Sequence, residues 1–179
     1  MFNENYTESQ TREKIIDKLL IDAGWDIDDR SQVIPEFEVK GAAGFNFRAA
    51  QKDKGRDVSG FSDYLLLDRK GEPLAVIEAK KTSRDPIAGK RQAEDYADGI
   101  KNETGIEPLI FLTNGYEIWF WNRKRYPLYM VHGFFSRQDL ERTVFQTKEI
   151  KESSSLFVST IQTMMENFHK LSPAFFDVI

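Results

Sequence analysis

Phe61-Ser-Asp-Tyr-Leu-Leu-Leu-Asp-Arg-Lys-Gly-Glu-Pro-Leu-Ala-Val-Ile-Glu-Ala-Lys80 is the stretch on which the fold turns. Leu65 to Leu67 and Leu74 to Ile77 are short apolar runs rich in strand formers, and the Asp-Arg-Lys-Gly-Glu-Pro between them reads as a tight turn. The pair is therefore expected as two adjacent antiparallel strands, with Asp63 opening the first and Glu78 closing the second. In such a hairpin those two ends lie side by side, so their carboxylates can meet. Lys80 follows Glu78 by two residues, and the period of two along a strand puts both side chains on one face. Two acids and an amine at the margin of an apolar sheet are costly to desolvate unless they bind something.

Hard divalent cations take oxygen ligands, and Mg²⁺ commonly uses one or two carboxylates while keeping waters and substrate phosphate in its remaining positions. A lysine beside such an ion can hold a water or offset charge on a phosphate. Asp63 and Glu78-Ala79-Lys80 thus look like a metal-dependent phosphodiesterase centre. They resemble the PD-(D/E)xK nuclease superfamily, in which an acid and then acid-x-lysine sit on neighbouring strands. Ser62 stands where that pattern has proline. The competing reading of Glu78 and Lys80 is an exposed ion pair at a strand end, because Glu-x-Lys is a common tripeptide.

Composition bounds the rest. With 179 residues the chain has the size of one domain plus a tail, and 40% hydrophobic and 13% aromatic residues suffice for a packed core. There is no cysteine, so disulfides and thiolate metal sites are excluded and any metal must be held by oxygen or by the two histidines. His132 and His169 lie far in sequence from the acids, and neither is assigned a role. The polar N-terminus does not resemble a signal peptide and no apolar run approaches membrane length, so a soluble, cytoplasmic protein with no membrane partner is expected. A net charge of −4 argues mildly against DNA binding, but leaves room for a local basic patch or for a module whose DNA grip comes from partners. Basic clusters occur at Lys52/Lys54/Arg56, Lys80/Lys81/Arg84, Lys90/Arg91 and Arg123/Lys124/Arg125, each of which alone also reads as a solvated surface.

Along the chain, Ile15, Ile16, Leu19, Leu20 and Ala23 have helical spacing over Glu8 to Ala23, with Thr7 or Thr11 as cap and Gly24 as stop. An extended segment is expected from Trp25, a strand over Val33 to Val39, a loop at Gly41 to Gly44, and an edge strand around Phe45 and Phe47. Thr82 to Pro86 reads as a turn and Ala88 to Ile100 as an amphipathic helix. A buried strand follows at Leu109 to Leu112, then an Asn114-Gly115 hairpin turn and an aromatic strand from Tyr116 to Trp121. A turn over Asn122 to Tyr126 and a short strand over Leu128 to Val131 lead to a helix from Ser136 to about Phe145. Strands, helix and strands again predict an α+β fold, a mixed central sheet flanked by helices in an α/β/α-like arrangement.

Gln92 and Tyr96 lie four apart on the predicted helix and share a face. By themselves they also read as one solvated and one half-buried side chain. The longer run Ala75-Val-Ile-Glu-Ala-Lys-Lys-Thr-Ser-Arg-Asp-Pro-Ile-Ala-Gly-Lys-Arg-Gln-Ala-Glu-Asp-Tyr-Ala97 closely resembles the N-terminal nuclease domain of the R subunit of type I restriction enzymes. There an acid-x-lysine strand is followed by Asp-Pro and a Gln-x-x-x-Tyr helix. Glu8-Ser-Gln-Thr-Arg12 with Ala23-Gly-Trp25, Phe111-Leu-Thr-Asn-Gly-Tyr-Glu-Ile118 and Gly133-Phe-Phe-Ser136 are similar to the same family, so the resemblance spans about Thr7 to Phe145. It implies a restriction-endonuclease-like core over residues 1–150. It also implies Asp63 and Glu78 as metal ligands with the Ala79 carbonyl as a third, Lys80 as the catalytic lysine, and Gln92 and Tyr96 as supporting or DNA-contacting residues. Glu8 matches a glutamate that related nucleases bring near the metal, and it reads equally as a first-turn acid favoured by the helix dipole.

Residues 151–179 resemble the part of a superfamily 2 helicase just upstream of its Asp-Glu-Ala-His box, and Ser159 to Leu171 also read as a C-terminal amphipathic helix packing on the domain. No Gly-x-x-x-x-Gly-Lys-Ser/Thr loop occurs, so ATP would enter only through a motor domain absent from this chain. The chain is accordingly expected to be a fragment or shortened form of a translocating restriction subunit. The leading expectation is a Mg²⁺-dependent endonuclease domain acting on double-stranded DNA, with sequence specificity and methylation residing in partner subunits. Its rivals are a catalytically idle docking module for those partners or DNA, and a stand-alone repair-type nuclease of the same superfamily.

Overall fold

The computed structural model describes residues 4–40 and 59–145. Six strands form one sheet in sequence order: β1 (Val33–Lys40), β2 (Ser59–Leu67), β3 (Pro73–Ala79), β4 (Leu109–Thr113), β5 (Ile118–Trp121) and β6 (Tyr129–Val131). All neighbours are antiparallel except β3 and β4, which are parallel. A parallel step needs a crossover. Here it is a 3₁₀ turn, Pro86–Gly89, leading into a helix, Lys90–Thr104. Asp85 caps the turn by accepting from the Ile87 N–H, and Pro86 occupies the first position, where its missing N–H costs nothing.

An N-terminal helix, α1, runs through Glu8–Thr11, a π-helical segment Arg12–Ile16, and Asp17–Asp22. Thr7 and Gln10 close its N-terminus as a capping box. Lys90–Thr104 is α2 and Arg137–Phe145 is α3. The sheet is covered on both faces. Ile16, Leu20 and Trp25 join Leu140 over Leu66, Ile77, Phe111 and Phe120 on one side. On the other, Ala93, Tyr96, Ala97 and Ile100 of α2 pack on Leu65, Val76, Ile110 and Leu112. This double cover explains why β3 and β4 read as unbroken apolar runs rather than alternating ones. The α+β mixed sheet with flanking helices is the architecture expected from the sequence.

Local expectations are corrected in three places. Trp25 does not open an extended segment; turns fill the interval to Val33, and the indole N–H donates to the Phe135 carbonyl at 2.9 Å. β5 begins at Ile118, not Tyr116, because the Asn114 Oδ1 accepts from the Tyr116 and Glu117 N–H groups and draws both residues into the turn. Gly115 in that turn has φ +89, and a Cβ there would sit 3.0 Å from Thr11 and Ile15 of α1, so the turn doubles as a seat for the helix. Asp63 lies inside β2 rather than at its start, since the strand begins at Ser59. The Gly41–Gly44 loop, the Phe45/Phe47 strand, the first basic cluster and the tail over 151–179 lie outside the described residues.

Phe111 is fully buried, with the Phe120, Phe134 and Phe135 rings 5.0, 5.2 and 5.9 Å from its own. Phe111→Ala should therefore remove about 3–5 kcal/mol of unfolding free energy, measurable as a lowered urea midpoint at unchanged slope.

Candidate functional site

The site forms where β2 and β3 part. Their paired register runs to Tyr64 and Ile77, and beyond that rung the Ala79 N–H is met by a side chain instead of a backbone carbonyl. Asp63 Oδ2 accepts it at 2.7 Å. The other oxygen, Oδ1, accepts from Arg12 Nη1 of α1 at 2.6 Å. One carboxylate thus closes a gap in the sheet and ties it to the first helix.

Glu78 stands on the neighbouring strand with only 2% of its surface exposed. Its Oε1 accepts from Lys80 Nζ at 2.5 Å, while Oε2 is buried with no hydrogen-bond partner. Lys80 Nζ also donates to Gln92 Oε1 at 3.2 Å, and Gln92 Nε2 donates to the Tyr96 hydroxyl at 2.7 Å. The four-residue spacing of Gln92 and Tyr96 on α2 makes that chain of contacts possible. Gly89 forms the floor: a Cβ there would lie 2.8 Å from Glu78 Cγ and 3.1 Å from Lys80 Cε, so the crossover can approach β3 closely only without a side chain.

Burial dominates the electrostatics. It pushes the Glu78 carboxyl up to about 8, helped by the nearby charge of Asp63 and opposed by Lys80; Glu8 adds a smaller push in the same direction. Asp63 is also raised by burial, against the pull of the Ala79 N–H and Arg12. The Tyr96 hydroxyl, pushed up to about 12 by burial, stays neutral and available as a hydrogen-bond partner.

The structure brings Asp63, Glu78, Lys80, Gln92 and Tyr96 into one neighbourhood. Glu8, in the first turn of α1, is close enough for its charge to be felt at Glu78. The Glu78–Lys80 pair is buried, not the exposed strand-end pair that was its alternative. Among the described residues no group of three or more His, Asp or Glu side chains gathers around a common point. Of the basic clusters, Arg123 is committed to Asp98 and Glu107, at 2.7 and 3.0 Å, and Lys90 lies over the Trp121 ring at 4.4 Å. Sequence reasoning assigned no role to Arg12 or Gly89. Arg12 is 51 positions from Asp63, and only the packing of α1 on the sheet joins them.

Residues 45–127 match the family model for the N terminus of the type I restriction enzyme R protein. The matched segment is a little under half of the chain. It contains Asp63, Glu78, Lys80, Gln92 and Tyr96, and the R-protein resemblance read from the sequence is the one found. No curated protein matches the chain. Among solved structures, the chain is similar to one described as a fragment of an HsdR subunit of a type I restriction enzyme from Vibrio vulnificus YJ016, with a TM-score of 0.59 and 22% identity. That match covers 78% of this chain and 25% of the other, so the chain spans about a quarter of its length. At this identity the likeness is one of fold.

The Glu78 shift has a consequence for stability. Its ordinary value is 4.5 and its folded value about 8, so between them the folded protein keeps a proton that the unfolded chain has lost. Stability contributed by that proton is present below the lower value and is lost as pH rises through the upper one. In EDTA, the wild-type chain should lose about 1–3 kcal/mol between roughly pH 5 and pH 8, and Glu78→Gln should flatten this slope in urea titrations.

Proposed function

We propose that this R-protein N-terminal domain is a Mg²⁺-dependent endonuclease that hydrolyses phosphodiester bonds of double-stranded DNA. The observation that carries the reading is the buried Glu78–Lys80 pair beside Asp63, with Glu78 Oε2 lacking any partner. A buried carboxyl oxygen without a hydrogen-bond partner is unfavourable by itself and is explained if a cation is its ligand, binding of which would displace the proton that burial retains. The donor set suits a hard ion: Asp63 and Glu78 would hold it, with the Ala79 carbonyl as a third oxygen, and Glu8 would join only by moving closer, since the three acids do not gather around a common point. Carboxylate oxygens already accepting one hydrogen bond retain a lone pair for this. So few protein ligands leave positions for water and phosphate, the usual arrangement for Mg²⁺.

When bound, the ion would polarise the phosphate and lower the pKa of an attacking water. Lys80 would orient that water or stabilise charge developing on the phosphate. Gln92 fixes the Lys80 ammonium through its Oε1, and Tyr96 fixes the Gln92 amide. Both would also stand where DNA approaches. Nothing in this arrangement reads base edges, so specificity and methylation fall to partner subunits of a restriction–modification complex, a cytoplasmic assembly in this reading. Among the described residues, no helix is long and apolar enough to cross a membrane.

A docking module that cuts nothing is the second reading, favoured by the engagement of both Asp63 oxygens with Arg12 and the Ala79 N–H. A plasmid nicking and cleavage assay with Mg²⁺, with and without methylation and specificity subunits, separates the two. Glu78→Ala and Lys80→Ala should each lower Mg²⁺-dependent cleavage by roughly 10²-fold or more, with circular dichroism unchanged. Undiminished cutting by either variant would rule out the assignment.

A further inference from the structure

Arg12 has a second partner. While Nη1 holds Asp63, Nη2 holds Glu36 Oε1 of β1 at 2.9 Å, so the guanidinium fork spans two adjacent strands. The β1–β2 register pairs Pro35 with Tyr64 and Phe37 with Ser62, and between these rungs the Glu36–Asp63 rung is missing. Both ends of the bridge depart from regular backbone. Glu36 has φ +50, a left-handed conformation rare for a residue with a side chain. The π-helical segment of α1 begins at Arg12, and such segments recur at functional sites. The phase of β1 changes across Glu36 as well: Val33 packs on one face of the sheet, whereas Ile34, Phe37 and Val39 all pack on the other. Two local distortions converge on one guanidinium.

We propose that Arg12 is a positioning residue that competes with a divalent cation for Asp63, and that Glu36 is its alternative seat. This rests on the metal reading above. Oδ1 cannot lie close to a doubly charged ion and to the guanidinium without strong repulsion between the two cations, so occupancy by one weakens the hold of the other. Glu36 makes the exchange possible. Its side chain is 67% exposed and keeps the guanidinium paired when the Asp63 contact loosens. A cavity of about 220 Å³ lined in part by Arg12, Glu36, Asp17 and Tyr64 gives the arginine room to shift. Arg12 thereby sets how much free ion the site needs, and holds Asp63 against the Ala79 N–H in the meantime.

Calorimetric titration of the full chain with Mn²⁺ tests this directly, comparing wild type with R12Q, E36Q and the double variant. Removing the competitor should tighten Mn²⁺ binding by roughly five- to tenfold, the scale of one partly buried charge contact. Removing the alternative seat should weaken binding in the wild-type background by about two- to fivefold and hardly at all in the R12Q background. An arginine that only braced the fold would give the opposite sign, with R12Q binding more weakly. Equal or weaker binding by R12Q, or the same E36Q effect in both backgrounds, overturns the proposal. Should R12Q fail to fold, E36Q alone decides, and unchanged or tighter binding overturns it. If wild type and R12Q both bind no Mn²⁺, the metal reading falls and the competition falls with it; binding by wild type with the wrong order of variants removes the competition alone.

Discussion

A glutamate carboxyl buried at the end of a parallel strand pair is the constraint around which this domain is arranged. Glu78 can be buried there only because Lys80 reaches back to it from two residues on and because Gly89 lets the crossover close over both. A hydrophobic pair in the same volume would cost less, since burying an acid beside an amine carries a desolvation penalty whether or not the acid keeps its proton. Stability alone thus explains the arrangement poorly, and the proposed metal-dependent chemistry would account for it. The contacts that follow serve the same end: Gln92 holds the ammonium, Tyr96 holds Gln92, and the apolar face of α2 fixes them over β3.

Asp63 enters by a different route. It is placed by a failure of pairing, at the point where β2 has separated from β3 and the Ala79 N–H would otherwise lack a partner. On its other flank β1 also loses a rung, at Glu36, and Arg12 fills the opening from α1. Diverging strands give room for a ligand between them, while the side-chain contacts prevent the orphaned backbone groups from opening the sheet. The first helix, remote in sequence from the acids, becomes part of the site through this one arginine and through the turn at Gly115 on which the helix rests.

Most of the candidate site's geometry was legible in the sequence for an elementary reason. Glu78, Lys80, Gln92 and Tyr96 lie within nineteen consecutive positions, and the periods of a strand and a helix suffice to put them on common faces. Asp63 was reached through the hairpin turn, whose Asp68 Oδ1 accepts from the Lys70 and Glu72 N–H groups and closes the loop locally. Tyr116 was misread as strand because aromatic residues favour strands generally, whereas the turn captured it through Asn114, a contact no propensity encodes.

The amino-acid order by itself determined the mixed sheet, the hairpin that juxtaposes two acids, and the R-protein resemblance, since each rests on residues close enough for local periodicity to relate them. Only tertiary structure decided that the acid–lysine pair is buried, that Asp63 substitutes for a missing ladder rung, and that Arg12 and Glu36 meet over it. Burial and cross-sheet contact depend on which layers stack, and that is fixed by apolar surfaces coming together from distant parts of the chain, not by any spacing within one segment.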